Sequence, residues 1–246
     1  MKCIGLSFLL ITCTALAVNY RVASRSDTGM DTTPSGNIER MAEGAYTSCV
    51  MWLTFNRSTS DYGLAVTPDL SGKGNNGAVI GGPTWSAGYY SFDGSDDRIS
   101  TGTNSADLQT AFTVAAWYRK TGADSDGCII GRFRTGFQGY MLWKQLGQAT
   151  IQLYINSGSR VTTGTLSTNT WYHIAGTWDG SQVCMYVNGA LVASNNYATA
   201  PDCIGGLCYI GYYGGQYLRA DVDDAPLFNR ALSAAEITNL VATTPH

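Results

Sequence analysis

The stretch ADVDDAPLFNRALS, residues 220–233, sets Asp221, Asp223 and Asp224 within four positions. A carboxylate pair can hydrolyse a glycosidic bond when one group keeps a proton and the other is ionised, about 5 Å apart for retention and up to about 9.5 Å for inversion. Clustered carboxylates can also gather calcium, which takes about six to eight oxygen ligands. On an extended strand Asp221 and Asp223 would share one face and Asp224 would take the other. No Glu joins them: Glu39 and Glu43 lie in a polar N-terminal stretch, and Glu236 has the spacing of a helix cap. Serine hydrolase chemistry lacks its G-x-S-x-G elbow, and apart from the terminal His246 the only histidine is His173 in TWYHIAGTW. The sequence thus predicts no catalytic residues and a chain that is not an enzyme. His173 reads as a satisfied structural histidine, and Asp221 and Asp224 as solvated side chains.

Recognition chemistry is better represented. Sugar binding combines flat aromatic faces with amide, carboxylate or backbone groups that take the hydroxyls. The segment GYYGGQYLR offers Tyr212 and Tyr213 in a glycine-rich loop, with Gln216 and Arg219 close by. Tyr62, Trp143 and Tyr197 are further candidates, whereas Trp52, Trp117 and Trp171 sit in apolar runs and read as core. Trp178, beside Asp179-Gly180, would cover a sheet end.

The elements that must position these side chains are strands. Apolar and aromatic runs of five to eight residues, among them CVMWLTF, FTVAAWY, IQLYI and WYHIAGTW, recur between turn signals. In GTWDGSQVCMYVNGALVAS, Asp179-Gly180 and Asn188-Gly189 each favour tight hairpin turns, so successive antiparallel strands are expected. Val183, Met185 and Val187 fall on one face of the middle strand and Cys184 and Tyr186 on the other, a pattern that suits cover on both sides. Near the end, Ser233 and Glu236 have capping-box spacing for one short helix in LSAAEITNL. The pattern is all-β, an antiparallel sandwich in one domain over residues 45–246.

Before that domain, residues 1–17 carry Lys2, an apolar run and Ala15-Leu16-Ala17, the form of a cleaved secretory signal peptide. The run falls short of the roughly 20 apolar residues of a membrane span. Residues 18–44 are polar, hold Pro34 and read as an arm or linker. Fifteen Lys and Arg against eighteen Asp and Glu, with no basic cluster, argue against a nucleic-acid partner. In an exported chain the CIGGLC segment predicts a Cys203–Cys208 disulfide, with the pairing of Cys49, Cys128 and Cys184 open. Asn56-Arg57-Ser58 is a glycosylation sequon.

DLSGKGNNGAV, YYSFDGSDDRIS, FTVAAWYRK, TWYHIAGTWDGSQVCMYVNGALVAS, YIGYY and VDDAPLFNRALSAAEI resemble, in order, the landmarks of laminin-G-like domains of the concanavalin A-like lectin and glucanase superfamily. The resemblance implies a jelly-roll sandwich of two antiparallel sheets. It also implies one structural calcium, with Asp223, Asp69 and Asn75 as ligands. Fold does not fix function. The sites favour an extracellular recognition module, secreted or on a cell surface, that serves carbohydrate binding or adhesion on a glycan or glycosylated surface without catalysis. The alternative is a structural or assembly protein, a virion, sheath or filament component, self-associating through the jelly roll and residues 18–44.

Overall fold

In this computed structural model the described residues are 47–55, 65–101, 108–122 and 125–244. The expected signal peptide, arm, Tyr62 and Asn56 sequon lie outside them.

The strands are β1 (Cys49–Leu53), β2 (Val66–Thr67), β3 (Gly77–Ile80), β4 (Thr84–Ser86), β5 (Tyr89–Asp93), β6 (Arg98–Thr101) and β7 (Phe112–Lys120). There follow β8 (Gly127–Arg134), β9 (Gln138–Lys144), β10 (Ile151–Ile155), β11 (Gly158–Thr162), β12 (Trp171–Trp178) and β13 (Gln182–Val187). Last come β14 (Ala190–Asn196), β15 (Leu207–Ile210), β16 (Tyr212–Tyr213), β17 (Gln216–Tyr217), β18 (Arg219–Asp223) and β19 (Ala225–Phe228), before helix α1 (Ala234–Thr243). One sheet runs β14-β13-β12-β7-β18-β5-β4, with β19 joining β1 to β7; the second runs β11-β10-β9-β8-β15-β6-β3-β2. Strand pairs are antiparallel, and β16 with β17 forms a separate hairpin. This is the jelly-roll sandwich that the sequence predicts.

Alternation along the strands builds the core. Val114, Ala116, Tyr118, Ile174, Val183 and Met185 from the first sheet pack against Ile130, Tyr140, Leu142, Leu153 and Ile210 from the second. The opposite face of the first sheet is also covered: Trp52, Ala115, Ala175, Tyr186 and Phe228 meet Leu232, Ile237 and Leu240. The middle strand β13 is therefore covered on both sides, as its residue pattern indicates. Its flanking turns have the expected positive φ, 97° at Gly180, 49° at Asn188 and 83° at Gly189. Ser233 caps α1, with Glu236 N–H donating to Ser233 Oγ and Ser233 N–H to Glu236 Oε2. Among the described residues no helix is long and apolar enough to cross a membrane.

Several expectations change. Asp221, Asp223 and Asp224 are all buried, at 2, 3 and 5% exposure, so Asp221 and Asp224 are not solvated. Asp221 lies under Arg119, and Asp224 turns back at φ 40° to accept from Trp52 Nε1 at 3.1 Å. That turn separates β18 from β19, which places Pro226 opposite Trp52 in a strand paired on both sides. Trp171 is half-buried and not core: the Arg119 guanidinium stacks over its ring at 4.8 Å. Cys203 and Cys208, the pair expected to form a disulfide, are both buried in one core cluster. Cys208 points into the sandwich from β15, where burial pushes its thiol up to about 11.

Candidate functional site

The outer face of the second sheet carries the aromatic side chains that alternation leaves off the core. Along β9, Tyr140 and Leu142 point inward while Met141 and Trp143 point outward. Along β10, Leu153 and Ile155 point inward while Tyr154 joins the outer cluster with Cys128, Phe133, Phe137 and Tyr209.

The β16–β17 hairpin folds over this face. Gly214 and Gly215, at φ 58° and 89°, form its two-residue turn, where both positions need positive φ. Its base is closed by Leu218 N–H to Gly211 O at 2.8 Å and tied to β8 by Gly211 N–H to Cys128 O at 2.9 Å. The close approach requires glycine at 127, since an added Cβ would sit 2.5 Å from the Leu218 Cα.

Cross-strand pairing within the hairpin sorts the predicted residues. Tyr213 stands opposite Gln216, and Tyr212 opposite Tyr217, so neighbouring tyrosines take opposite faces. Tyr213 is the plug: it is 6% exposed, its ring lies 4.3 Å from Phe133 and 4.2 Å from Phe137, and its hydroxyl accepts the Phe137 N–H. Tyr213 is therefore not an exposed sugar platform, because it packs into the outer cluster. Tyr212 packs against Tyr209 and Tyr217 with the Arg98 guanidinium above it. Arg219 begins β18 in the other sheet, beside Asp93, and lines a separate cleft with Ser91 and Thr121. The four predicted ligand residues thus do not form one site.

Gln216 does reach one. It shares a cleft of about 270 Å³ with Asp126, Phe137, Trp143, Gln145, Tyr154 and Ser157. Trp143 forms the floor at 3% exposure, while Phe137 and Tyr154 are half-buried walls, 6.1 Å apart. Gln216 Nε2 donates to Asp126 Oδ2 at 3.2 Å, and Asp126 Oδ1 also accepts Leu146 N–H. Gln145 Oε1 accepts from Gln152 Nε2 at 3.1 Å, and Ser157 Oγ accepts from Gln138 Nε2 at 2.6 Å. The polar groups are held by neighbours and keep spare capacity, with the Gln216 carbonyl an acceptor and the Gln145 amide a donor. Beyond Phe137 a second cleft of about 530 Å³ opens between Phe133, Leu207, Tyr209 and Tyr213.

Trp143 was visible in the sequence as an aromatic candidate; Asp126, Phe137, Gln145, Tyr154 and Ser157 were missed. Period-two alternation in IQLYI, with Ile151, Leu153 and Ile155 inward, is the signal that exposes Tyr154. No local signal brings Asp126 to Gln216.

Of the residues expected to hold calcium, Asp69 is committed to hydrogen bonds through both oxygens. Asp69 Oδ1 accepts Trp52 N–H and Ser71 N–H at 2.9 Å each, and Oδ2 accepts Ser71 Oγ at 2.8 Å and Asn75 N–H at 2.9 Å. Four donors occupy the carboxylate, and Asn75 is held beside it by Nδ2 donating to Val50 O at 2.6 Å. The pair locks the turn by hydrogen bonds. Asp223 accepts Asp224 N–H at 2.7 Å, and burial raises its carboxyl to about 8. His173, expected to be satisfied, is buried with no hydrogen-bond partner on either ring nitrogen, and desolvation lowers its pKa to about 3.

A laminin-G family model of the concanavalin A-like lectin/glucanases superfamily matches residues 93–238. The chain belongs to this superfamily. No curated protein sequence matches that of the superfamily member described here. Among solved structures it resembles the sialidase of Trypanosoma rangeli in complex with sialic acid, at 18% identity and TM-score 0.60, over 79% of this chain and 32% of that one. It also resembles the binding domain of botulinum neurotoxin DC in complex with SialylT, at 14% identity and TM-score 0.64, over 82% of this chain and 53% of that one. The lectin/glucanase-type chain therefore spans about a third of the sialidase and about half of the toxin chain. The expectation that it is not an enzyme is corrected here: an enzyme, the sialidase, contains the same fold.

Proposed function

We propose that this chain binds carbohydrate in the cleft between Tyr154, Phe137 and Gln216. The observation that carries this reading is the meeting of two half-buried aromatic side chains, Phe137 and Tyr154, with Asp126, Gln145, Ser157 and Gln216 in one open cleft floored by buried Trp143. Aromatic walls cover the C–H faces of a pyranose, and the amides, carboxylate and hydroxyl take its hydroxyl groups. Structures of the same fold with sialic acid and with SialylT support a sugar as ligand. The apolar leader of residues 1–17 supports an exported chain acting on a glycan or glycosylated surface outside the cell.

The test is a broad glycan array probed with the purified chain, its Tyr154→Ala variant and its Gln216→Ala variant. Selective binding that weakens in both variants is expected. A well-folded wild type that binds no glycan overturns the reading.

A further inference from the structure

The two clefts on the outer sheet face share one wall and differ in chemistry. Phe137 lines both. Tyr213 fixes that wall, since its hydroxyl takes the Phe137 N–H and its ring lies 4.2 Å away. On the Gln216 side the lining alternates aromatic with hydrogen-bonding side chains. On the other side Phe133, Phe137, Leu207, Tyr209 and Tyr213 surround a larger space, and Arg134 is the single charged side chain.

Arg134 is already paired with Asp202, so the apolar cleft offers little net charge to an ion. Tyr213 spends its hydroxyl on Phe137, Phe133 and Leu207 have no polar side-chain atoms, and the remaining side-chain hydroxyls of the lining are those of Thr135 and Tyr209. A sugar unit here would leave most of its hydroxyls without side-chain partners, which costs affinity. An apolar group meets no such cost. Leu207 is 37% exposed and Ile204, three residues before it, 62% exposed. Scattered exposed leucines are normal. Leu207 differs because its exposed side chain shares a cavity with half-buried Phe137 and Tyr209.

We propose that the ligand is a glycoconjugate: its sugar occupies the Tyr154–Gln216 cleft, and an apolar substituent on that sugar, an aryl or short alkyl group, passes Phe137 into the cleft beside Leu207. This rests on the carbohydrate reading and adds the chemical class of the ligand. The cavity beside Leu207, at about 530 Å³, is within the size range of small-molecule pockets, while the sugar cleft is smaller. The linkage between sugar and substituent lies at the shared wall.

Titration calorimetry with galactose, glucose, mannose and N-acetylglucosamine, each against its phenyl glycoside, and with phenol alone, tests this. At least one phenyl glycoside is expected to bind about 10-fold or more tighter than its free sugar, given the apolar area a phenyl ring buries. It should also show a more negative heat-capacity change on binding. In Leu207→Asp the ratio of phenyl-glycoside to free-sugar affinity should fall towards one. Equal affinity for glycoside and free sugar overturns the inference while leaving the carbohydrate reading intact. Phenol binding as tightly as the glycosides overturns it too, since the sugar would then contribute nothing. No binding by sugars or glycosides removes the carbohydrate reading on which it rests.

Discussion

Gln216 and Asp126, ninety residues apart, meet through a hydrogen bond of 3.2 Å from Nε2 to Oδ2. The bond ties the β16–β17 hairpin to the turn before β8 and sets both polar groups at one rim of the cleft. Gln216→Ala should lower affinity for the cognate glycan about 3- to 10-fold while changing stability by less than about 1 kcal/mol, the scale of one net hydrogen bond. Calorimetric titration beside urea denaturation separates the two effects; a stability loss without an affinity loss would assign Gln216 to the fold alone.

Arg119 and Asp221 form the best-buried ion pair described, with Nη2 and Nε at 2.6 and 2.7 Å from one carboxylate oxygen. The guanidinium is also held over the rings of Tyr89 and Trp171, at 5.0 and 4.8 Å. Asp221→Ala should destabilise the protein by about 2–3 kcal/mol, because hydrogen bonds to charged groups are lost at a buried site. Arg119→Ala should cost a comparable amount, since it strands a buried carboxylate. A double-mutant cycle by chemical denaturation is expected to show strong coupling, and additivity would refute the pair as a stabilising unit.

His173 and Asp223 flank Trp117 in one lateral row across β12, β7 and β18, and burial moves their pKa values in opposite directions. His173 titrates near 3 folded against about 6.5 unfolded, so the unfolded chain takes up the extra proton below pH 6.5 and stability falls as pH drops towards 3. Asp223 titrates near 8 folded against about 3.8 unfolded, so its contribution is full below about pH 4 and is lost as pH rises to 8. The two slopes oppose each other between about pH 4 and 6.5, and only Asp223 acts from there to pH 8. Stability should therefore be flat across the first window and decline across the second. Asp223→Asn should abolish the decline above pH 6.5, and His173→Phe should turn the flat region into a rise on acidification; denaturant midpoints measured against pH decide.

The C-terminal helix depends on its first turn. Glu236 accepts from Ser233 N–H and is gripped by Arg230 at 2.8 and 2.5 Å, which pulls its carboxyl down to about 2. Ser233→Ala should cost about 1 kcal/mol. Glu236→Gln should cost a similar amount at neutral pH, and that cost should shrink as pH falls from about 4.5 towards 2, where the native Glu236 loses its charge. Thermal melts of both variants against pH provide the check.

Much of the fold was legible because its signals are local. Asn188-Gly189 and Asp179-Gly180 specify turns through the backbone angles that these residues tolerate, and β12, β13 and β14 follow from them. Ser233 and Glu236 announce α1 through hydrogen bonds closed within one turn. Val183, Met185, Cys184 and Tyr186 report their two covered faces through simple alternation.

The candidate site was legible only in part, and Tyr213 shows why. In GYYGGQYLR it reads as an exposed aromatic, yet the hairpin lays it on Phe133, Phe137 and Trp143, contacts made across at least seventy residues of chain. Asp223 likewise reads as an exposed ligand residue in the sequence, yet it is 3% exposed, and hydrogen bonds occupy its intended partner Asp69.

By itself the sequence determined the strands, their turns, the capped helix and the superfamily, because turn chemistry, alternation and capping act over a few neighbouring residues. Which aromatic side chains are walls and which are buried plugs, and which polar groups gather beside them, was decided only by tertiary structure. Sheet register and the fold of one hairpin across β8 set those distances, and no short stretch of chain encodes them.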